Sequence, residues 1–180
     1  MTKITKKTSV VELAAIITKA LNTQDISAVL TGGAVVSIYT KNEYASKDLN
    51  FISLSDQKKI TAVMAKIGFH LDGKDFYSDE TDFTVEFPTG PLSLGDREPV
   101  EAEGEKKIKG TVIRLLSPTQ CVMDRLVPFY AWNDRQGLDQ AVMVASYQPI
   151  KLKEVELWSK EEGALEKFDI FLQTLKAKKK

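Results

Sequence analysis

Two consecutive glycines after a short apolar segment constrain the fold of this chain more than any other feature. Residues 27–31 form a short and largely apolar segment, Gly32-Gly33 follows, and residues 34–39 are again mostly apolar. This order predicts a strand, a tight turn and a short helix. The turn is therefore the first place where we predict binding chemistry.

A polar pair begins the next predicted strand. Residues 48–53 read D-L-N-F-I-S, and side chains of a strand point alternately to its two faces. Asp48 and Asn50 therefore share one face, while Leu49 and Phe51 share the other. The pattern predicts a buried strand that presents two polar side chains at its start.

A carboxylate is predicted on a later strand. Residues 83–87 alternate strictly, so that Thr84 and Glu86 lie on the face opposite three apolar residues. Pro88 ends the segment, because proline cannot continue a sheet ladder. Glu86 is thus presented from a strand that is apolar on its other side.

The other patterns before residue 116 are helices and hairpin elements. Apolar residues at helical spacing predict a first helix after Ser9, with Glu12 at capping-box distance, and a second helix over 56–67. The turn pair Asp72-Gly73 predicts a hairpin. Residues 108–116 are predicted to form one strand, preceded by solvated lysines.

Helical spacing dominates the second half of the chain. Ser117, Pro118 and Gln120 supply a cap, a proline at the first helical position and a capping-box partner. Pro128 is expected to kink or end this helix. Further apolar periodicities predict three more helices, around 138–145, 152–158 and 165–175.

Length and composition fit one cooperative unit rather than two large domains. The 180 residues are 43% hydrophobic and 28% charged, an ordinary globular composition. We therefore predict an α/β domain over 1–116 and a helical extension, packed on it, over 117–180.

The 25 Lys and Arg residues balance the 25 Asp and Glu residues, which excludes the strong positive field of a dedicated nucleic-acid-binding protein.

Several other classes of protein are excluded by missing patterns. Cys121 is the only cysteine, so neither an internal disulfide nor a cysteine zinc cluster can form. Gly-Lys-Ser and Gly-Lys-Thr are absent, which excludes a P-loop NTPase. Neither a signal-peptide core nor an apolar run of membrane-spanning length is present. These absences predict a cytoplasmic chain without a membrane partner.

The order of the elements in the first half resembles the nucleotidyltransferase superfamily, which has a polymerase-beta-like fold. In that family an apolar strand runs into two small residues, a short helix follows, and the next strand presents two acids separated by one residue. A third acid lies on a later strand. Here Gly32-Gly33, Asp48 and Glu86 match those positions. The resemblance implies an α/β (α+β) fold with a mixed sheet flanked by helices, followed here by the helical extension.

The resemblance also implies a metal and a nucleotide. Nucleotidyl transfer uses two divalent ions, one at the attacking hydroxyl and one at the triphosphate. Mg²⁺ or Mn²⁺ would then be held by the oxygens of Asp48, Asn50 and Glu86. The paired glycines would let backbone amides and a helix N-terminus approach the phosphates of an NTP. Ser37, one turn later, and Lys47, beside Asp48, are further predicted phosphate contacts.

Asn50 departs from the family pattern, because the family has an acid at this position. An amide oxygen can ligate a metal but brings no charge, and the loss of a negative charge beside a divalent ion weakens the site. The fourteen residues between Gly33 and Asp48 also lie near the long end of the family's spacing.

Structural interpretations remain open for several of these residues. Glu86 is also explained as a solvent-facing strand residue and Lys47 as a surface lysine. His70, the only histidine, is interpreted as structural. Cys121 has no evident histidine partner, which disfavours a nucleophilic role. In the helical half, the charged residues near Arg125 and Asp134 are expected either to form ion pairs that fix the helices or to line the cleft.

Two functions follow from the site. The first is a metal-dependent transferase, with Asp48 and Glu86 as catalytic metal ligands, that moves a nucleotidyl group from an NTP to an unknown acceptor. The acceptor could be a small molecule, a protein or an RNA. The alternative is a catalytically impaired member of the fold that serves as a nucleotide-binding or protein-binding module, for example a toxin-neutralising partner. Asn50 is the main observation for the alternative.

Overall fold

The computed structural model describes residues 3–96 and 99–178. Within these residues the chain forms one mixed sheet and a set of surrounding helices. The helices are α1 (Val10–Asn22), α2 (Gly32–Tyr39), α3 (Gln57–Lys66), α4 (Pro118–Trp132), α5 (Arg135–Tyr147), α6 (Leu152–Glu161) and α7 (Leu165–Lys178). The strands are β1 (Val29–Thr31), β2 (Asp48–Ile52), β3 (His70–Asp72), β4 (Asp75–Tyr77), β5 (Thr84–Glu86), β6 (Gly104–Ile108) and β7 (Thr111–Leu115).

The sheet places the strands of the predicted site at its centre. Its order is β3-β4-β5-β2-β1-β7-β6. Strand β2 runs parallel to β5 and antiparallel to β1, while β1 runs parallel to β7. The two hairpins, β3-β4 and β6-β7, form the edges. The α/β fold with a mixed sheet, predicted from the sequence, is confirmed.

One face of the central sheet is packed into the core and the other carries the polar residues. Leu49, Phe51 and Val85 are fully buried, whereas Asp48 is exposed and Asn50 is half-buried. The alternation predicted for β2 and β5 is therefore present. Because these three apolar side chains point to the helix-covered face, the opposite face is left for the polar residues at the start of β2.

Both predicted capping boxes are formed. The Ser9 hydroxyl accepts a hydrogen bond from the Glu12 amide at 3.4 Å, and the Glu12 carboxylate accepts from the Ser9 amide at 3.1 Å. At the start of α4, the Ser117 hydroxyl accepts from the Gln120 amide at 3.3 Å, and the Gln120 side chain accepts from the Ser117 amide at 3.0 Å. These motifs satisfy amides that a helix start otherwise leaves unpaired.

The prediction of one strand over 108–116 is wrong, because the chain turns back there. Residues 104–115 form the hairpin β6-β7, with Ile108 paired to Thr111 next to the turn. Lys109 and Gly110, the two turn residues, both have positive φ, +47° and +84°. Two consecutive positive φ values suit a two-residue hairpin turn. The lysines before Ile108, predicted as the solvated beginning of this strand, belong to the edge strand β6, whereas Lys109 lies in the turn.

The helical half packs on α2 of the α/β half. Helices α4 and α5 pack against each other and against α2. Tyr39 at the end of α2 donates a hydrogen bond from its hydroxyl to the Leu116 carbonyl at 2.7 Å. Helix α4 does not end at Pro128 but continues to Trp132, and Asn133 follows in the left-handed conformation. The domain boundary at residue 116 stays a prediction.

The helices α4 and α5 approach closely at a glycine. A Cβ atom added to Gly137 would lie 2.5 Å from the backbone oxygen of Arg125, so only glycine fits there.

Over the residues described, no helix combines the length and the apolar character that a membrane crossing requires.

Candidate nucleotide site

A row of polar residues crosses the centre of the sheet on its open face. Thr31 on β1 pairs with Asn50 on β2, and Asn50 pairs with Glu86 on β5. Paired residues of neighbouring strands point to the same face. The structure therefore brings Asn50 and Glu86, which are 36 positions apart in the sequence, side by side and next to the end of β1.

Asp48, the first residue of β2, lies two residues before Asn50 on the same face of the strand. It pairs with Thr84 of β5, and the Thr84 hydroxyl donates a hydrogen bond to the Asp48 carboxylate at 2.5 Å. The carboxylates of Asp48 and Glu86 thus project from the same face of two adjacent parallel strands. The sequence predicted both acids, and the sheet register determines their proximity.

Two close contacts of the α2 backbone explain why positions 32 and 33 are glycines. Gly32 has a φ of +70°, and a Cβ atom there would lie 3.0 Å from the side-chain nitrogen of Asn50. A Cβ atom on Gly33 would lie 2.8 Å from the hydroxyl oxygen of Ser46. The first turn of α2 is therefore pressed against Asn50 and against the loop that leads to Asp48.

A chain of hydrogen bonds connects the glycine turn to Asp48. The Ser37 hydroxyl donates to the Gly33 carbonyl at 3.2 Å and accepts from the Ser46 amide at 2.8 Å. The Ser46 hydroxyl then donates to the Asp48 carbonyl at 2.9 Å and accepts from the Asp48 amide at 3.2 Å. Ser37 is only 1% exposed. Its hydroxyl therefore fixes the loop, and its predicted contact with phosphate stays a prediction.

The backbone of Lys47 is joined to β5 by a hydrogen bond. Its carbonyl accepts a hydrogen bond from the Thr84 amide at 3.0 Å, which extends the pairing of β2 with β5. The residue itself is exposed. Its predicted phosphate contact stays a prediction, and the surface interpretation is equally consistent with the position.

Glu86 already has a cationic partner. The Lys74 ammonium donates a hydrogen bond to the Glu86 carboxylate at 3.0 Å, and the Glu86 side chain is 26% exposed. Lys74 lies in the turn between β3 and β4. The hydrogen bond to Glu86, together with the charges of Glu86 and Asp75, raises the pKa of Lys74, so this cation stays protonated beside the acid.

The acid set of the family pattern is incomplete in this chain. Asn50 replaces one acid with a neutral amide, and Lys74 neutralises another acid, Glu86. Among the residues that the structure describes, no three His, Cys, Asp or Glu side chains are grouped so that they could hold a metal ion. The metal-binding role of Asp48, Asn50 and Glu86 remains a prediction. The site has one negative charge fewer than the family pattern, because Asn50 is neutral.

A cavity of about 350 Å³ lies further along the same strands. Val29 and Ile52, two residues along from Thr31 and Asn50, form part of its floor, and Leu92 and Val100 are apolar residues of its lining. Arg114 also lines it and pairs with Glu101 at 3.1 Å. Two residues of a strand span about 7 Å, so this cavity begins close to the polar row.

Three residues that support the site were not identified from the sequence. Ser46 supports Asp48, Thr84 binds its carboxylate, and Lys74 binds Glu86. Thr84 could have been found, because it shares the predicted face of Glu86. The sequence carries no comparable signal for Ser46 or Lys74, since their partners are fixed by tertiary contacts.

The charged residues of the helical half form local contacts. Arg125 donates to the Asp124 carboxylate at 2.7 Å and to the Gln140 side chain at 3.4 Å. Asp134 caps α5 by accepting from the Gln136 amide at 2.9 Å. The contact of Arg125 with Gln140 joins α4 to α5; whether these charges fix the helices against the sheet or line the cleft stays a prediction.

The architecture is that of nucleotidyltransferase-like proteins. Three solved structures share it at probability 1.00. The antigenic nucleotidyltransferase-like protein of Paracoccidioides brasiliensis is 13% identical over 78% of this chain and 77% of its own, with a TM-score of 0.55. This likeness shows the fold, in agreement with the resemblance predicted from the sequence.

The other two structures are of the antibiotic-resistance factor ANT(2'')-Ia. Its solution structure is 15% identical over 83% of this chain and 91% of its own, with a TM-score of 0.53. Its crystal structure in complex with adenylyl-2''-tobramycin is 13% identical over 95% of this chain and 98% of its own, with a TM-score of 0.50. No protein-family model matches the chain, and no curated protein sequence does.

Proposed function

We propose that this chain is a nucleotide-binding protein of nucleotidyltransferase fold in which transfer of the nucleotidyl group is impaired. The triphosphate of an NTP lies against the Gly32-Gly33 turn. Asn50 is the observation that carries the proposal, because it puts a neutral amide between that turn and Glu86 where the family has an acid. The binding surface is thus retained while the metal-binding charge is reduced.

The start of α2 supplies the anion-binding groups. Within the described residues the Thr31 side chain makes no capping hydrogen bond, and its hydroxyl donates instead to the Asn50 carbonyl at 3.3 Å. The first amides of the helix are therefore not occupied by their own cap residue, and these amides together with the helix dipole favour a phosphate.

The cavity beside the polar row would accept the rest of the nucleotide. It is of the size of small-molecule pockets, and Val29 and Ile52 offer an apolar floor for a planar base. The cavity begins about two strand residues from Thr31, the residue before the Gly-Gly turn, which suits a ligand whose phosphates lie at one end and whose base lies at the other.

An active transferase is the second candidate, and one observation favours it. Asp48 and Glu86 project from the same face of adjacent parallel strands, which is the arrangement that two metal-binding acids need. In this case Mg²⁺ or Mn²⁺ would bind once Lys74 releases Glu86, and the acceptor would be a small molecule, a protein side chain or an RNA end.

Thermal unfolding with each of the four NTPs, with and without Mg²⁺ or Mn²⁺, tests the proposal. Wild type, Asp48→Ala and Asn50→Asp are compared with Asp139→Ala, which removes an exposed acid on α5. An NTP at about 100 times its Kd stabilises the native state by about 2.7 kcal/mol. A binding module shows this stabilisation in wild type and keeps it in Asp48→Ala.

The same titration separates the two candidates. An active transferase requires the metal, loses the response in Asp48→Ala, and moves labelled nucleotide in a transfer assay. If transfer appears only in Asn50→Asp, the native site is impaired as proposed. If no variant responds to any NTP under any condition, the nucleotide assignment fails for both candidates.

A further inference from the structure

Lys74 places a cation beside Glu86, an acid that the family pattern would use to bind a metal ion. Its ammonium lies 3.0 Å from the Glu86 carboxylate, and Glu86 pairs with Asn50 in the neighbouring strand. The cation therefore lies over the open face of the sheet, one strand away from the residue that touches Gly32.

The hairpin holds Lys74 at this place. Asp75 pairs with Glu86 in the register of β4 and β5, so the residue before Asp75 is brought beside Glu86 by the backbone itself. Gly73, with a φ of +63°, allows the turn that places Lys74 at the tip. The turn therefore keeps Lys74 within reach of Glu86, and the contact itself is made by the end of an exposed lysine side chain.

The charge of the site changes accordingly. Asp48 and Glu86 leave two acids where the family pattern has three, and Lys74 offsets one of their charges. Asp75, opposite Glu86 on β4, adds a further negative charge, so these three acids and one lysine carry two net negative charges. Lys74 is therefore the group of this set that attracts an anionic ligand, because a lysine binds phosphate as a point charge.

We infer that Lys74 takes the place of a divalent ion, so that the chain binds the triphosphate of an NTP without metal. This inference rests on the proposed function and adds the residue that would neutralise the phosphate. Lys74 would contact the triphosphate from the hairpin side while the α2 amides contact it from the Gly32-Gly33 side. Asp48 then has no metal to hold and contributes only repulsion.

The chain contains a matched control for this lysine. Lys109 also lies in a hairpin turn, also pairs with a single glutamate, Glu12, at 2.7 Å, and is similarly exposed, at 66% against 75% for Lys74. It lies in the turn of the opposite edge hairpin, β6-β7. Lys74→Met and Lys109→Met therefore remove equivalent surface ion pairs, of which only one belongs to the candidate site.

The test measures NTP affinity by calorimetry in EDTA and in MgCl₂ for wild type, Lys74→Met, Lys74→Arg and Lys109→Met. We expect wild type to bind an NTP in EDTA within about threefold of its affinity in Mg²⁺. Lys74→Met should lose about tenfold or more in EDTA, the scale of one charge-assisted hydrogen bond. Lys109→Met should match wild type, and Lys74→Arg should recover most of the loss.

Two results would overturn the inference while leaving the proposed function in place. In one, wild type binds an NTP only with Mg²⁺; in the other, Lys74→Met binds in EDTA as tightly as Lys109→Met. Failure of the proposed function looks different, because then no NTP binds wild type in either buffer. Coincident unfolding curves of the two methionine variants establish that any difference in affinity is not a folding defect.

Discussion

Asn50 and Glu86 occupy paired positions on the adjacent parallel strands β2 and β5, with both side chains on the open face of the sheet. An amide beside a carboxylate adds no repulsion, whereas two carboxylates at paired positions repel each other. Asn50 thus keeps this repulsion out of the pair between β2 and β5, while Asp75 lies opposite Glu86 on its other side.

Asn50→Asp should make the protein respond to metal. We expect the variant to be destabilised by about 0.5–1 kcal/mol in EDTA, because it adds a negative charge beside Glu86 to that of Asp75, and to regain stability with Mg²⁺. Asn42→Asp, an exposed change outside the sheet, is the control. Urea unfolding with and without Mg²⁺ measures both effects, and equal curves for the two variants would contradict the expectation.

Ser46→Ala should loosen the connection between the glycine turn and Asp48. The Ser46 hydroxyl bonds both the carbonyl and the amide of Asp48, and its loss leaves these groups without that partner. We expect a cost of about 1–3 kcal/mol and weaker NTP binding. Ser146→Ala removes one bond, to the Val142 carbonyl within α5, and should reduce stability without changing the affinity for NTP.

Gly33→Ala should be unfavourable although alanine favours helices. The added Cβ would lie 2.8 Å from the Ser46 hydroxyl oxygen, so the loop before Asp48 must move. In a Ser46→Ala background the contact disappears, and the helix propensity of alanine, worth up to about 1 kcal/mol over glycine, offsets more of the cost. A double-mutant cycle in urea measures this coupling; strictly additive effects would refute the contact.

Glu12 should make stability depend on pH in the acid range. Hydrogen bonds from Lys109 and from the amide and hydroxyl of Ser9 lower the pKa of Glu12 from 4.5 to about 2. Because the folded-state pKa is the lower one, this contribution is present above about pH 4.5 and is lost as the pH falls toward 2. Tm measured from pH 7 to pH 2 should fall less steeply for Glu12→Gln than for Glu105→Gln, an exposed change on β6.

Cys121 should react only through unfolding. Its side chain is fully buried, and burial raises the pKa of its thiol, so the thiolate that reacts is scarce and inaccessible. We expect labelling by an aromatic disulfide reagent to follow the unfolding rate in urea. The variant Ala131→Cys, at an exposed position of α4, should carry a second thiol that labels rapidly in the native state.

The sequence predicted the parts of the fold that depend on neighbouring residues. The faces of β2 and β5 follow from alternation over a few positions, and the starts of α1 and α4 follow from Ser9 and Ser117 with their capping partners. The glycine turn was predicted for the same reason. Its interpretation as a phosphate site comes from the family resemblance and stays a prediction.

Tertiary structure decided which of these parts meet. The pairing of β2 with β5 places Glu86 beside Asn50, and the β3-β4 hairpin brings Lys74 onto Glu86. The β6-β7 hairpin was missed because the apolar pattern after Ile108 looks the same whether the chain runs straight or turns back at Gly110. Strand register and ion-pair partners depend on residues far apart in the chain, so local periodicity carries no information about them.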